Sequence, residues 1–145
     1  MSARKKLTQT EKELSSVIFE QTGGNKNFAL IRSKGDRALF GKSTQAMKAT
    51  WNVPDNRPRA DFAPTIILKA KDSATEITIH NARTNNMTSE SQISREHITN
   101  NTAIRDTLLE RGIRPEELPA SEDIRKVERR LSSDTKKALK DPDTL

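Results

Sequence analysis

The sequence predicts an all-α protein with five to seven helices and a thin core. Apolar residues recur at three- and four-residue intervals along most of the chain, which is the spacing of the buried stripe of a helix. Gly and Pro separate these periodic stretches. Only 32% of the residues are hydrophobic and 3% aromatic, so there is little apolar surface to bury in one centre. We expect one domain, with a basic helical segment over residues 1–84, a second helical segment over 85–140 and a flexible, disordered tail over 141–145.

The first predicted helix carries two capping-box spacings close to its start. Thr8 and Thr10 each precede a Glu by the three residues that let a hydroxyl and a carboxylate satisfy free backbone amides at a helix N-terminus. We expect the helix to begin there and to end at Gly23 and Gly24. Its stripe for burial comprises Leu7, Leu14, Val17 and Ile18.

Three short helices separated by glycines are predicted next, over residues 27–34, 37–41 and 45–51. Gly35 suits the left-handed position that closes a helix, and Asp36 can then cap the following turn. In outline the three helices resemble a helix-turn-helix, in which one short helix contacts bases. Three consecutive short helices also occur in helical domains that bind no nucleic acid, so both interpretations stay open.

The longest periodic segment is a helix predicted from Asp61 to about Asn81. Two prolines break the chain before it, and Pro64 is tolerated in a first turn, where no intrahelical amide bond is lost. Residues 75–79 alternate as in a strand and are rich in β-branched side chains, which weakens the helical pattern there. We retain the helix through this stretch.

A loop rich in Asn, Thr and Ser precedes a helix predicted over residues 94–111. Ser94 suits the cap, and Ile93 and Ile98 have the spacing of a hydrophobic staple around it. Gly112 suits the left-handed residue that follows the last turn. The predicted buried line consists of Ile98, Ile104 and Leu108.

Ser121 is predicted to cap the last helix. Its narrow buried stripe is Ile124, Val127 and Leu131. The rest of this helix is basic, but acidic residues at helical spacing indicate a salt-bridged, solvated surface. The basic residues are Arg125, Lys126, Arg129 and Arg130, and the acidic ones are Glu122, Asp123 and Glu128. We therefore expect this helix to be structural.

Positive charge is concentrated in the front half of the chain. The formal net charge is +6; residues 1–71 carry 14 Lys and Arg against 6 Asp and Glu, whereas residues 72–145 carry 12 against 14. This asymmetry favours a polyanion, above all nucleic acid, as partner; the alternative is an ordinary solvated face. The predicted contact set, expected on one exposed side of the helical cluster, comprises Arg32, Lys34, Arg37, Lys42, Arg57 and Arg59. The single Trp, Trp51, is expected in the core rather than stacked on a base.

Residues for catalysis or metal binding are sparse. The chain has no Cys, which excludes disulfides and Cys-ligated zinc. His80 and His97 lie in different predicted helices, and no spacing motif supplies carboxylate partners for a metal. No Walker-type phosphate loop is present, and neither Ser33 nor Ser43 has a nearby His. We predict a non-enzymatic protein without cofactor or metal. Because no apolar run approaches the roughly 18 residues of a membrane span, we expect a cytoplasmic location and no membrane partner.

Six blocks of sequence occur in an order that points to a known family. They are FALIRSKGDRALFG, STQAMK, VPDNRPRADFAPTI, ILKAKDSATEIT, EHITNN and ERGIRPEELPASEDIRKVERR. Together they resemble the C-terminal half of the bacterial DNA-damage-inducible protein D family over nearly the whole chain. Members usually carry an upstream domain of the phage-antirepressor (BRO) type, to which DNA binding is attributed. This chain opens at what resembles the linker after that domain, so we expect that assignment to apply to none of its residues.

The resemblance implies a role in the SOS response, in mobile-element regulation and in modulation of recombinase filaments on single-stranded DNA. We therefore predict an accessory or regulatory module of the DNA-damage response, which binds DNA or a protein–DNA filament through its basic front half. An antirepressor-type domain acting in trans and a second copy of the chain are further candidate partners. The alternative is a protein-interaction or oligomerisation module, in which exposed helix stripes pair between chains without contact to nucleic acid.

Overall fold

The computed structural model describes residues 1–140 and is all-α, as predicted. The described part of the chain contains no strand. Its six helices are α1 (Ala3–Gln21), α2 (Phe28–Phe40), α3 (Thr44–Thr50), α4 (Thr65–Thr84), α5 (Glu90–Glu110) and α6 (Ile124–Lys140). Two short 3-10 helices, Arg59–Phe62 and Pro115–Glu117, lie in the connections. The tail predicted over residues 141–145 lies outside the described residues.

Four helices make the body of the protein. α1 packs on α4, α4 on α5, and α5 on α2, so α5 from the second predicted segment joins helices of the first. The apolar side chains separate into two clusters. One cluster contains Leu7, Leu39, Phe40, Met47, Trp51 and Ile67. The other contains Leu14, Val17, Ile18, Ile31, Ile79 and Ile93. The thin apolar content is therefore divided between two small centres.

Buried polar side chains lie between these clusters on each of the four helices. We call this set the polar layer; its members are Thr10, Glu11, Asp36, Lys71, Thr75, Thr78, Ser94, His97, Asn100 and Asn101. Along α1, for example, Leu7 belongs to one cluster, Glu11 to the polar layer and Leu14 to the other cluster. Buried polar groups require partners inside the protein, so this layer constrains how the helices pack.

The prediction that Gly35 ends a helix is wrong, because α2 runs through it without interruption. A Cβ at this position would lie 2.5 Å from His97 Cδ2 and 2.8 Å from Asn101 Nδ2, so the glycine serves a close approach of α2 to α5. Asp36, expected as a cap, is buried in the interior. The outline of three short helices is therefore lost, and with it the basis for a helix-turn-helix.

The predicted start of α1 is also wrong. The helix begins at Ala3, where Ser2 Oγ accepts from the Lys5 backbone amide at 3.2 Å. The hydroxyls of Thr8 and Thr10 instead donate to carbonyls one turn earlier within the helix. Its end agrees with the prediction, since the helix stops at Gln21, two residues before a left-handed Gly23.

The α5 helix begins earlier than predicted, and its buried face agrees with the predicted line only in part. Ile104 and Leu108 pack against the cluster that contains Phe40, as predicted. Ser89 forms the capping box with Gln92, and Ser94 is buried in mid-helix. Ile98, the centre of the predicted staple and buried line, is 36% exposed. The buried face is largely polar because α5 contributes to the polar layer. The predicted end is confirmed: Gly112 is left-handed, and the Ile113 amide donates to the Leu108 carbonyl at 2.8 Å.

The stretch at residues 75–79 is helical, as retained in the prediction, although its helix starts at Thr65 rather than Asp61. The buried positions follow helical spacing rather than the strand-like alternation, and Ile77 is 41% exposed. Since α4 lies between α1 and α5, it buries a broad face, in which Thr75, Thr78 and Ile79 all point inward.

Trp51 lies in the core, as predicted. It is 5% exposed, meets the Phe40 ring edge-on at 5.6 Å between centroids, and donates from Nε1 to the Leu118 carbonyl at 2.9 Å. The lone Trp therefore joins α2 to the segment that precedes α6.

The last helix is attached to the body only by its first turn. Ser121 is not the cap: its amide donates to the Phe62 carbonyl, while Asp123 Oδ1 accepts from the Arg125 amide at 3.0 Å. Ile124 and Val127 are half-buried, and every side chain from residue 128 to residue 137 is exposed. Most of α6 therefore stands in solvent.

Candidate nucleic-acid interface

The six basic residues predicted to contact a polyanion do not share one exposed surface. Three of them, Arg32, Arg57 and Arg59, are held in ion pairs. Lys34, Arg37 and Lys42 are exposed and form no ion pair within the described residues. Lys34 and Arg37 are three residues apart on α2 and therefore neighbours on its surface. Only this smaller patch agrees with the expected geometry.

Arg57 fixes the start of α6. Its Nη2 lies 2.9 Å from Asp61 Oδ2 and 2.6 Å from Asp123 Oδ1, and its guanidinium carbon lies 5.3 Å from the centre of the Phe62 ring. The hydrogen bonds from Arg57 lower the pKa of Asp123 to about 2, so this carboxylate stays charged. Arg57 thus has a structural task in linking α6 to the Arg59–Phe62 helix.

Arg59 lies in the interior, contrary to the expectation of an exposed contact. It is 4% exposed, its Nη2 lies 2.6 Å from Asp36 Oδ2, and its guanidinium carbon lies 4.3 Å from the centre of the Phe40 ring. Lys71 Nζ approaches the other oxygen of Asp36 at 3.2 Å. Burial would raise the pKa of Asp36, but Lys71 and Arg59 outweigh it and the pKa is lowered. Burial lowers the pKa of Lys71.

A pocket of about 340 Å³ opens above this buried group. We call it the α2–α3 pocket; its polar lining is Arg32, Ser33, Asp36, Thr44, Lys48 and Arg59. Arg32 Nε, at the side of the pocket, lies 2.7 Å from Glu11 Oε2. The pocket therefore brings together three positive side chains and two hydroxyls from elements that are separated in the sequence.

A second basic surface lies on α6, where the sequence suggested a salt-bridged helix. We call it the α6 basic face; it consists of Arg125, Lys126, Arg129, Arg130, Lys136 and Lys137. At 100° per residue these six positions fall within an arc of about 140°, opposite the Ile124, Val127 and Leu131 stripe. Both acidic residues of the exposed turns, Glu128 and Asp134, lie outside that arc.

Most of the positive charge on the α6 basic face is not neutralised. Arg130 pairs with Glu122 at 3.0 Å, and this is the one ion pair that the face makes among the described residues. Asp123, whose negative charge was expected to offset the basic residues of this helix, is instead paired with Arg57. A helical projection of residues 124–137 would have revealed this face from the sequence. The sequence interpretation instead used the spacing between acidic and basic residues, which suggested that they form salt bridges.

The two histidines take different environments. His80 is exposed, whereas His97 is buried in the polar layer, and burial lowers its pKa to about 4. Nowhere in residues 1–140 do three His, Asp or Glu side chains converge as metal ligands. No described helix combines the length and apolar character needed to cross a bilayer.

No family model, no curated protein and no solved structure matches this chain.

Proposed function

We propose that this protein is a non-enzymatic accessory module that binds nucleic acid, either bare or in a nucleoprotein filament, through the α6 basic face. The observation that supports it is the one-sided distribution of six cations on a helix that stands out from the body. The exposed Lys34 and Arg37, which are neighbours on α2, provide a second contact in the basic front half, and Lys42 is exposed as well. The resemblance to the DNA-damage-inducible protein D family supports a place in the DNA-damage response or in mobile-element regulation.

The α6 basic face has the dimensions of a phosphate-binding surface. From Arg125 to Lys137 the helix rises about 18 Å, which equals roughly five base-pair steps of a duplex. Exposed Lys and Arg on a single face can each approach a backbone phosphate and release a condensed counterion. The apolar stripe faces the body at Ile124 and Val127. Beyond this first turn the helix exposes the charged face together with one residue of the stripe, Leu131, which is 58% exposed.

Fluorescence anisotropy with labelled single-stranded and duplex DNA, between 50 and 200 mM salt, tests the proposal. The variant replaces Arg125, Lys126, Arg129 and Lys136 by Gln. The matched control replaces Lys12, Lys26, Lys69 and Arg111, which are exposed elsewhere, so both proteins lose the same charge. We expect the α6 variant to bind more weakly and to reduce the slope of log affinity against log salt by about three to four, while the control changes much less.

Two results would contradict this function. Equal losses in the α6 variant and the control would mean that only net charge matters. Absence of binding by the wild-type protein to either form of DNA at 50 mM salt would remove nucleic acid as a direct ligand.

A second candidate function is self-association through α4. Ile66 and Ile77, each 41% exposed, lie eleven residues apart on the same outward line of this helix. Sedimentation over a range of protein concentrations tests this alternative: a dimer that Ile66→Gln with Ile77→Gln dissociates would support it, and a monomer at all concentrations would remove it.

A further inference from the structure

The charged side chains around the α2–α3 pocket carry a positive excess. Arg59, Lys71 and Asp36 are each at most 5% exposed, and Glu11 pairs with the partly exposed Arg32. With Lys48 at the pocket, four positive charges face the two carboxylates of Asp36 and Glu11, which leaves a net charge of +2. The buried members, Arg59 and Lys71 against Asp36 and Glu11, balance one another. The excess is therefore carried by the partly exposed Arg32 and Lys48, which line the pocket. An excess of this kind favours an anion.

One donor of the pocket is also unused. Arg59 Nη2 is bonded to Asp36, but the buried Nη1 has no hydrogen-bond partner within the described residues. Asp36 approaches Arg59 through Oδ2 and Lys71 through Oδ1, and neither oxygen bonds to Nη1. Buried guanidinium donors in folded proteins are nearly always satisfied. Because Arg59 lines the pocket, a molecule bound there can supply an acceptor for this donor.

We propose that the α2–α3 pocket binds a phosphomonoester group. Arg32, Lys48 and Arg59 supply charge, and the hydroxyls of Ser33 and Thr44 supply neutral donors, a combination suited to a tetrahedral oxyanion. A phosphomonoester carries about −1.5 to −2 at pH 7, which matches the net charge of the site, whereas a phosphodiester within a strand carries about −1. A pocket of about 340 Å³ accommodates the phosphate together with part of an attached sugar.

Two sources can supply this group: the terminal phosphate of a nucleic-acid strand, or free phosphate and mononucleotides. The first rests on the proposed function, because the α6 basic face would hold the strand whose end enters the pocket. The second does not depend on nucleic-acid binding. A strand terminus would give the protein a preference for ends that the evenly charged α6 basic face lacks.

The test uses inorganic phosphate and three labelled strands as probes of the full chain. Inorganic phosphate is titrated against thermal unfolding at constant ionic strength, with chloride as reference. Labelled single strands with a 5′-phosphate, a 3′-phosphate or hydroxyl ends are compared by anisotropy. The variant is Lys48→Gln, whose half-exposed side chain takes part in no ion pair among the described residues, and the matched control is Lys69→Gln on α4.

We expect phosphate to raise the unfolding temperature saturably, and one phosphorylated end to raise strand affinity at least fivefold. Lys48→Gln should weaken phosphate binding about tenfold and abolish the preference for that end, while Lys69→Gln retains both. Saturable phosphate binding without strand binding supports the pocket with a free ligand and contradicts the proposed function. If the protein binds strands but shows neither a response to phosphate nor a preference for one end, the phosphate site in the pocket is contradicted and the proposed function is not. Equal phosphate binding by the two variants also overturns it, because the ion would then bind elsewhere.

Discussion

His97 is held neutral by its contacts in the polar layer. Thr78 donates its hydroxyl proton to the Ala74 carbonyl at 3.0 Å, so the 2.8 Å contact between Thr78 Oγ1 and His97 Nδ1 requires the proton on Nδ1. On the other side of the ring, a Cβ at Gly35 would lie 2.6 Å from Nε2, which shows how tightly α2 covers that nitrogen. A second ring proton has no solvent and no acceptor there. This agrees with a pKa lowered to about 4 by burial.

We predict that stability falls on acidification from pH 7 to pH 5. The pKa of His97 is about 4 in the folded state and about 6.5 in the unfolded state, so below pH 6.5 the unfolded chain binds a proton that the folded chain does not. At pH 5 the loss amounts to about 2 kcal/mol of unfolding free energy. Urea denaturation at the two pH values measures it. His80→Gln, which alters the exposed histidine, should retain the loss; a protein equally stable at both values would contradict the assignment.

At the scale of helices, the ends marked by glycine were predictable. The beginnings of α2 and α3 lie within one residue of the predicted positions 27 and 45, whereas those of α1, α4 and α5 were not predicted. Gly23 and Gly112 are left-handed and follow α1 and α5, as their positions in the sequence indicate. Hydroxyl residues are so frequent here that a capping spacing occurs by chance inside helices, as at Thr10 and Ser94. The true cap Ser89 has the same kind of spacing, with Gln92 three residues later, so the pattern alone does not separate real caps from chance ones; packing of the whole helix decides where it begins.

The crossing of α2 and α5 was hidden from the sequence for a related reason. A glycine such as Gly35 is typical of a helix end, but here it allows α2 to approach α5 closely. Only the positions of His97 and Asn101 on the other helix reveal this role. The same applies to the candidate site. The excess of Lys and Arg in the front half was counted correctly. However, Arg59 and Lys71 are buried, and Arg32 and Arg57 are held in ion pairs. The net charge of a segment therefore did not show which of its cations are exposed and unpaired.

We predict that Gly35→Ala destabilises the protein by about 1–3 kcal/mol, although Ala is the better helix former. The new methyl group would meet buried atoms of His97 and Asn101 at 2.5–2.8 Å, and these side chains are fixed by their own hydrogen bonds. Urea denaturation measures the change. Lys34→Ala, at the adjacent exposed position, should stay within about 0.5 kcal/mol. An Ala variant more stable than the wild type would show that α2 and α5 are not in close contact.

For the whole molecule, the buried ion group contributes little net stability as long as it is complete. Replacing a buried ion pair or triad by apolar residues is often neutral or stabilising by about 1–4 kcal/mol, whereas removing one partner costs about 3–5 kcal/mol. Asp36, Arg59 and Lys71 form such a triad. Its presence in a chain with so little apolar material therefore points to binding or to specificity of packing.

We predict that the triple variant Asp36→Leu, Arg59→Met, Lys71→Met has a urea midpoint of unfolding at least as high as that of the wild type. Its unfolding should no longer respond to phosphate. Asp36→Asn alone should lose about 3–5 kcal/mol, because two cations then remain buried without a carboxylate. Unfolding curves and the phosphate titration provide the two readouts. A triple variant as unstable as the single one would mean that the charges hold the fold together.

The polar layer also has a consequence for the alignment of the helices along their axes. If α2 slid by one turn, about 5.4 Å, Asp36 would move away from its partners toward the level of an apolar cluster, and each other helix meets the same penalty. We infer that a purely apolar core would tolerate several such axial offsets between the helices. The polar layer excludes every alignment except the observed one. Sharp, well-dispersed amide resonances in the wild type and broadened ones in the triple variant would be the signature of that selection; equally sharp spectra would refute it.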